Sequence, residues 1–111
     1  MSIQRDLILR LVEAVAQAIA GVAALRRKGA YQEARLELGK AAGKLFGLDL
    51  GLVALLGPGA VAAQLGHPGK VAPLADLLEE RAEIERADGH AAEAARWTAF
   101  AAELRGLQPG G

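Results

Sequence analysis

The sequence predicts a single all-α domain of five or six helices, arranged as antiparallel helix hairpins. The first observation behind this prediction is periodicity, because apolar residues recur every three or four positions along most of the chain. The second observation is composition. Hydrophobic residues make up 52% of the 111 residues and aromatic residues only 4%, so the apolar content is mainly alanine, leucine and valine. Such small and aliphatic side chains favour helix over sheet.

The first predicted helix covers residues 2–28, with Ser2 as its N-cap. Its apolar positions fall in two adjacent rows, which together form a stripe much wider than one narrow face. The rows are Leu7, Leu11, Val15, Ala18, Val22 and Leu25, and Ile8, Val12, Ile19 and Ala23. Ala20 and Ala24 then replace the polar residues of the opposite side. We therefore expect the second half of this helix to be buried on several sides, against at least two neighbours from this chain or a second copy.

The second predicted helix covers residues 30–46 and follows Gly29, which we place as the left-handed residue that ends the first helix. Gly39 and Gly43 lie on one face of this second helix. Because a glycine inside a helix costs roughly 1 kcal/mol relative to alanine, we expect another backbone to approach closely at this face. Gly47 is expected to cap the end of the helix.

The rest of the chain predicts two short apolar helical turns and then two longer helices. The short turns occupy residues 48–69, with Asp49 as a cap and Pro58 as the first residue of the second turn. The segment Gly-His-Pro-Gly that follows them is a turn signal. The longer helices are expected at residues 70–88 and 90–107, separated by a glycine.

Two turn segments align at an offset of 60 residues, with Gly29 matching Gly89 and Ala34 matching Ala94. They resemble the turn and second helix of a tetratricopeptide repeat. The positions that carry the resemblance are Gly29, Tyr31, Ala34, Leu38 and Ala41 in the first segment and Gly89, Ala91, Ala94 and Ala101 in the second, where Thr98 replaces a larger residue. As a whole, the chain is similar to short bacterial proteins of unknown function that have a repeat-like C-terminal hairpin. The resemblance implies helical hairpins and protein binding, and it supplies no catalytic residue.

Composition and motifs exclude most catalytic chemistry. The chain has no cysteine, which removes disulfides, zinc–thiolate sites and thiol nucleophiles. Its two histidines, His67 and His90, lie at a turn and a helix start, where we expect ordinary turn and capping roles. The glycine–lysine pairs lack the rest of a phosphate-binding loop. We predict that the chain is not an enzyme and uses no metal or cofactor. Acid–base catalysis by His90 with carboxylates such as Glu93 is retained as an alternative.

The strongest charged feature is an acidic run at residues 79–86. Its first interpretation is a solvated helix face on which side chains of neighbouring turns form ion pairs. The expected pairs are Arg81–Glu85 and Glu83–Arg86. Its second interpretation is a partner-binding wall presented by Glu79, Glu83 and Arg86, to which a cationic peptide could dock.

We expect the protein to be a small protein-interaction or scaffolding module that self-associates, as a homodimer or another homo-oligomer. The apolar surface of the first helix is too wide for one small hairpin to cover, and the alanine- and glycine-rich faces favour close helix contacts. The alternative is a regulatory domain that binds a small apolar molecule near the middle short helices. Its cavity would be lined by Leu52, Leu55, Leu56 and Val61.

Charge and targeting signals complete the expectations. The formal net charge is +0, with 13 basic and 13 acidic residues, so we expect no nucleic-acid partner. Charged residues near the N-terminus interrupt any signal-peptide core, and a Gly-Pro-Gly segment breaks the most apolar stretch. We therefore expect no membrane association and a cytoplasmic location. One domain is expected at residues 1–107, followed by a disordered tail at 108–111.

Overall fold

The computed structural model describes residues 3–107, which form six α helices and one short 3-10 turn, without a strand in that range. The predicted all-α class is therefore confirmed. In chain order the elements are α1 (Ile3–Arg27), α2 (Tyr31–Phe46), α3 (Leu50–Leu56), α4 (Pro58–Leu65), the 3-10 turn (Pro68–Lys70), α5 (Val71–Ala87) and α6 (Ala91–Gly106). The predicted N-cap Ser2 and the predicted disordered tail lie outside the described residues.

The α1–α2 and α5–α6 turns have the same hydrogen-bond pattern, the one that ends a helix at a left-handed glycine. In the first turn, the Ala30 N–H donates to the Leu25 carbonyl at 3.0 Å. In the second turn, the His90 N–H donates to the Glu85 carbonyl at 2.8 Å. The glycines before these donors, Gly29 and Gly89, have φ of +77° and +85°. The two turns repeat at the predicted offset, while the tetratricopeptide assignment itself stays a prediction.

The short middle helices begin where local chemistry favours a helix start. The Asp49 carboxylate caps α3 by accepting from the Gly51 N–H at 2.8 Å and the Leu52 N–H at 3.3 Å. Pro58 is the first residue of α4, as predicted. His67 precedes the 3-10 turn, and its Nδ1 accepts from the Gly69 N–H at 2.8 Å. The predicted capping roles of Asp49 and His67 are therefore confirmed.

Helix α5 is the central helix of the domain. It packs against α1, α2 and α6, and ten of its side chains are buried. The largest fully buried ones are Leu74, Leu77, Leu78 and Ile84. The short helices α3 and α4 pack on each other, and α4 also packs on α6. The core thus lies around α5, with the α1–α2 hairpin on one side and α6 on the other.

The predicted close backbone approach at Gly39 and Gly43 is wrong within the described chain. A methyl group added at Gly39 would meet nothing outside its own helix turn within 4 Å, and one at Gly43 would meet only the Leu48 carbonyl oxygen, at 4.0 Å. The reason is rotational, because α2 buries Ala34, Leu38 and Ala42 and thereby turns the two glycines away from the core. These glycines are left without a packing partner in this chain.

Helix α1 is less buried than predicted. Its second half does have two neighbours, α2 and α5, but only Val15, Val22 and Ala23 are buried along the whole helix. Ala20 and Ala24 are exposed, so this chain alone does not bury the second half of α1 on several sides, and burial by a second copy stays a prediction. The 25 residues of α1 span about 37 Å and the 16 residues of α2 about 24 Å, so the first turns of α1 extend past α2. Among the described residues, α1 is also the one helix long and apolar enough to cross a membrane, by length and composition alone.

Alanine substitution at two glycines tests the turn geometry. We expect Gly89→Ala to lower the free energy of unfolding by about 1–2 kcal/mol, because alanine adopts a positive φ only at that cost. The matched control is Gly39→Ala, at an open position within α2. We expect it to raise the free energy of unfolding by roughly 0.5–1 kcal/mol. Urea unfolding followed by circular dichroism measures both. Equal effects of the two substitutions would contradict the turn assignment.

Candidate functional site

A buried carboxylate lies where three elements meet. Glu85 of α5 is only 2% exposed. Arg35 of α2 binds it with two parallel hydrogen bonds, from Nε to Oε2 at 2.8 Å and from Nη2 to Oε1 at 2.9 Å. Arg81, one turn earlier on α5, donates from Nε to Oε2 at 2.7 Å. Both carboxylate oxygens are therefore occupied by guanidinium groups, and the two-pronged contact fixes the position of α2 on α5.

The same cluster extends to the start of α6. The Arg35 Nη2 also donates to Asp88 Oδ2 at 2.6 Å. The His90 Nδ1 lies 2.9 Å from Glu85 Oε1. The guanidinium of Arg81 stacks over the indole ring of Trp97, 5.3 Å from its centroid. The cluster thus joins α2, α5 and α6 through charge-assisted contacts and one cation–π contact.

The surroundings of Glu85 keep it ionised. The hydrogen bonds from Arg35 are the main reason that the pKa of Glu85 falls from the ordinary 4.5 to about 2, although burial acts against this shift. Contacts with His90 and Arg81 lower the pKa further. The same contacts, with those to Asp88, raise the pKa of Arg35. A carboxylate with so low a pKa exchanges no proton near neutral pH, so Glu85 holds charge in place.

A second buried carboxylate ties α1 to α5. Glu80 is 6% exposed and accepts from Arg26 Nε at 2.7 Å, with the Arg26 Nη2 at 3.4 Å from its other oxygen. This contact raises the pKa of Arg26. The predicted solvated face is therefore wrong for Glu80 and Glu85, because α1 and α2 cover this side of α5. The predicted pairs Arg81–Glu85 and Glu83–Arg86 are present, at 2.7 Å and 2.6 Å.

The predicted partner-binding residues Glu79, Glu83 and Arg86 lie together on the exposed side of α5. Their spacing of four and three residues places them on one helix face. Each is already paired: Arg105 lies 3.1 Å from Glu79, and Arg86 binds Glu83. The charges on this side of α5 are therefore ion-paired within the chain, with Arg105 shared between Glu79 and Asp76. Whether a cationic peptide binds it stays a prediction.

A groove of about 810 Å³ lies between α1 and α2. The α1 wall consists of small or apolar side chains and one glutamine, without a charge. Its residues are Ala14, Gln17, Ala18, Gly21, Val22 and Leu25. The α2 wall carries all the charges of the groove together with two apolar side chains. Its residues are Glu33, Glu37, Lys40, Ala41, Lys44 and Leu45.

The apolar wall of the groove continues beyond the end of α2. Leu7, Ala14 and Gly21 are spaced seven residues apart, so they lie along one face of α1. Leu7 is 56% exposed, and Ile3, one turn earlier, is 79% exposed. On the α2 side, Leu36 is 59% exposed. We name these three side chains and the groove together the α1–α2 face. The three named side chains are each more than half exposed to solvent.

The four residues predicted to line a ligand cavity do not face one enclosed space. Val61 is fully buried, while Leu52, Leu55 and Leu56 are exposed, with Leu55 at 83%. A separate cleft of about 290 Å³ lies between the short helices and α6. It is lined by Ala54, Pro58, Glu93, Arg96, Trp97, Ala99, Phe100 and Glu103.

The structure places His90 next to carboxylates. Its largely exposed side chain contacts Glu85 and Asp88 and does not cap α6, and it lines one depression together with Glu93. Acid–base catalysis by His90 therefore stays an alternative. In the described range 3–107, no group of three or more histidine, aspartate or glutamate side chains is arranged to hold a metal ion. In comparisons with known proteins, no family model, curated protein or solved structure matches the chain. The surfaces themselves therefore carry the functional argument.

Substitution of Glu85 tests the central ion pairs. We expect Glu85→Gln to lower the free energy of unfolding at pH 7 by roughly 3 kcal/mol, which corresponds to the shift of its pKa to about 2. The control Glu83→Gln removes an exposed pair and should cost at most about 1 kcal/mol. Denaturant unfolding measures both variants.

The same variant has a pH signature with a definite sign. Because folding lowers the pKa of Glu85 from 4.5 to about 2, its contribution is fully present above pH 4.5 and is lost as the pH falls toward 2. The stability difference between wild type and Glu85→Gln should therefore shrink across that window. A difference that stays constant from pH 7 to pH 2.5 would contradict the assigned contacts.

Proposed function

We propose that this protein is a small interaction module that self-associates through the α1–α2 face. The observation that carries the proposal is the exposure of Ile3 and Leu7 on α1, in line with a groove that has an alanine- and glycine-rich α1 wall, while Leu36 is exposed at a neighbouring depression of α2. Exposed apolar patches on soluble proteins usually mark contact surfaces. Because Leu7 is already partly covered, burying the rest of it contributes about 1–1.5 kcal/mol, and a symmetric pair of copies gains this on both sides.

A second copy of the chain suits this face better than a lipid bilayer does. Insertion of α1 as a span would withdraw Val15 and Val22 from the core. It would also break the contact between Arg26 and the buried Glu80 carboxylate, which would be left without a partner. A buried charge that loses its ion-pair partner destabilises the protein by about 3–5 kcal/mol. Self-association covers the same apolar side chains and keeps these contacts.

Light scattering over a dilution series tests self-association. We expect the protein to scatter at high concentration as a species of twice the 11.5 kDa chain mass and to dissociate on dilution. Leu7→Gln should raise the dissociation constant about tenfold or more, because it removes exposed apolar area from the α1–α2 face. The matched control is Leu55→Gln, on the exposed side of α3, which should leave the dissociation constant unchanged.

Two results would count against the proposal. A monomer at every accessible concentration would remove self-association. Co-sedimentation with neutral phospholipid vesicles that Leu7→Gln abolishes would assign the α1–α2 face to a membrane surface instead.

We also propose a second function, binding of a small ligand, for the cleft between the short helices and α6. What supports it is a volume of about 290 Å³ with the aromatic side chains Trp97 and Phe100 among its walls and the carboxylates Glu93 and Glu103 at its edge. This composition, apolar with a few polar groups, is typical of ligand sites, and the volume is at the lower end of their range. The cleft is separate from the α1–α2 face, so the two functions are tested independently.

Native mass spectrometry tests the ligand proposal. Freshly purified protein should carry an added small-molecule mass in part of the population. Ala54→Trp, which fills the cleft with a large side chain, should abolish that mass, while Leu55→Gln beside it should preserve it. An unmodified mass for the wild-type protein, or an adduct that survives Ala54→Trp, would contradict ligand binding in this cleft.

A further inference from the structure

Four charged side chains on α2 border the groove in an ordered sequence. From the N-terminal end of the helix they are Glu33, Glu37, Lys40 and Lys44, separated by four, three and four residues. All four side chains are exposed, and these spacings place them along one helix face. The α1 wall of the groove adds no charge to them. The charges that a docked partner would meet at this groove are therefore the charges of α2.

The order of these charges is antisymmetric about the middle of the helix. The midpoint of the pattern lies between Leu38 and Gly39, and reading α2 in the opposite direction exchanges every glutamate for a lysine. Two identical helices that lie antiparallel across a two-fold axis at this midpoint would bring opposite charges together at each of the four positions. A parallel pair would instead place each charge against the same charge. Like charges held face to face are repulsive, so the order selects the antiparallel arrangement.

The uncharged residues beside this row also suit a close helix pair. Gly39 and Gly43 do not belong to this contact, because they line a separate depression with Leu36 and Leu48. Leu36 lies exposed on one side of the charges, and Ala41 and Leu45 lie on the side of the groove. Helix axes separated by the usual 8–10 Å would bring these side chains into contact across the axis.

We propose that two copies of this chain pair α2 against α2 in antiparallel orientation, about a two-fold axis that passes between the exposed side chains of Glu37 and Lys40. Glu33 and Glu37 of each copy face Lys44 and Lys40 of the other. The inference rests on the proposed self-association and adds the orientation and the charged contacts. An isologous interface of this kind is complete with two copies, so we expect a dimer and not a larger assembly.

Charge exchange on α2 tests the pairing. The half-exchanged variants Glu33→Lys/Glu37→Lys and Lys40→Glu/Lys44→Glu carry four like charges on the row, and each should dimerise about tenfold to a hundredfold more weakly than wild type. An equimolar mixture of the two should form a heterodimer at least as tight as the wild-type dimer. The control is the fully exchanged variant E33K/E37K/K40E/K44E. It restores the antisymmetric order with the signs reversed and should dimerise as wild type does.

Circular dichroism must show that each variant is folded, because the native order also complements the dipole of α2 and its exchange weakens the isolated helix. Cross-linking gives a readout that is independent of this effect, since the chain has no cysteine of its own. Glu33→Cys mixed with Lys44→Cys should form a mixed disulfide under mild oxidation. Glu33→Cys alone should form no disulfide between its two copies. In the antiparallel pair, position 33 of one copy lies about 16 Å along the helix axis from position 33 of the other.

The outcomes separate this inference from the proposed function. If the half-exchanged variants dimerise as tightly as wild type, self-association stands and the α2–α2 pairing is overturned. A disulfide between two copies of Glu33→Cys would show a parallel pair and would also overturn it. A wild-type protein that is monomeric at all concentrations would overturn the proposed function and the pairing together.

Discussion

The buried Glu85 carboxylate is the constraint on which the arrangement of the helices depends. An ionised carboxylate out of water is tolerated only when its oxygens are matched by hydrogen-bond donors and opposite charge. Here Arg35 of α2 and Arg81 of α5 supply both. Because the Arg35 contact is two-pronged and planar, it admits little rotation or sliding of α2 on α5. The hydrophobic contacts of the core bring the helices together, and this ion pair adds a geometric constraint on how α2 lies against α5.

The second buried carboxylate applies the same constraint to α1. Glu80 lies on α5 and binds Arg26 in the last turn of α1. With α1 and α2 each tied to α5, the hairpin presents one defined side to the core and the other to solvent. The outward side is the α1–α2 face, with its uncharged α1 wall and its ordered charges on α2. The exposed surface is thus the side of the hairpin that faces away from Glu80 and Glu85, and it is the surface that we propose for contact with a second copy.

Sequence patterns predict the local features of this fold well. The left-handed turn at Gly29, the cap at Asp49 and the helix start at Pro58 depend only on residues a few positions apart, so their chemistry is visible in the sequence. The fate of Glu80 and Glu85 is not visible. Each takes its partner from more than 45 residues away, and a run of charged residues has the same pattern whether its face meets water or two arginines.

The candidate site was predictable in part. The wide apolar surface of α1 indicated uncovered area, but its periodicity could not show that the excess would lie at Ile3 and Leu7, beyond the end of α2. Gly39 and Gly43 suggested a close helix contact, which the single chain does not supply. The structure was needed to show that the charges of α2 border the groove between α1 and α2, whereas the two glycines line a separate depression. The antisymmetric order of these charges matters for a contact between copies only because the charges are exposed on one side of α2.

If the outer side of α1 and α2 is the contact surface between copies, amide NMR spectra recorded over a dilution series will show it residue by residue. We expect concentration-dependent shifts for the residues of α2 around Glu37 and Lys40 and for the groove side of α1, with α6 unchanged. Shifts that concentrate on α6, or spectra that do not depend on concentration, would contradict it.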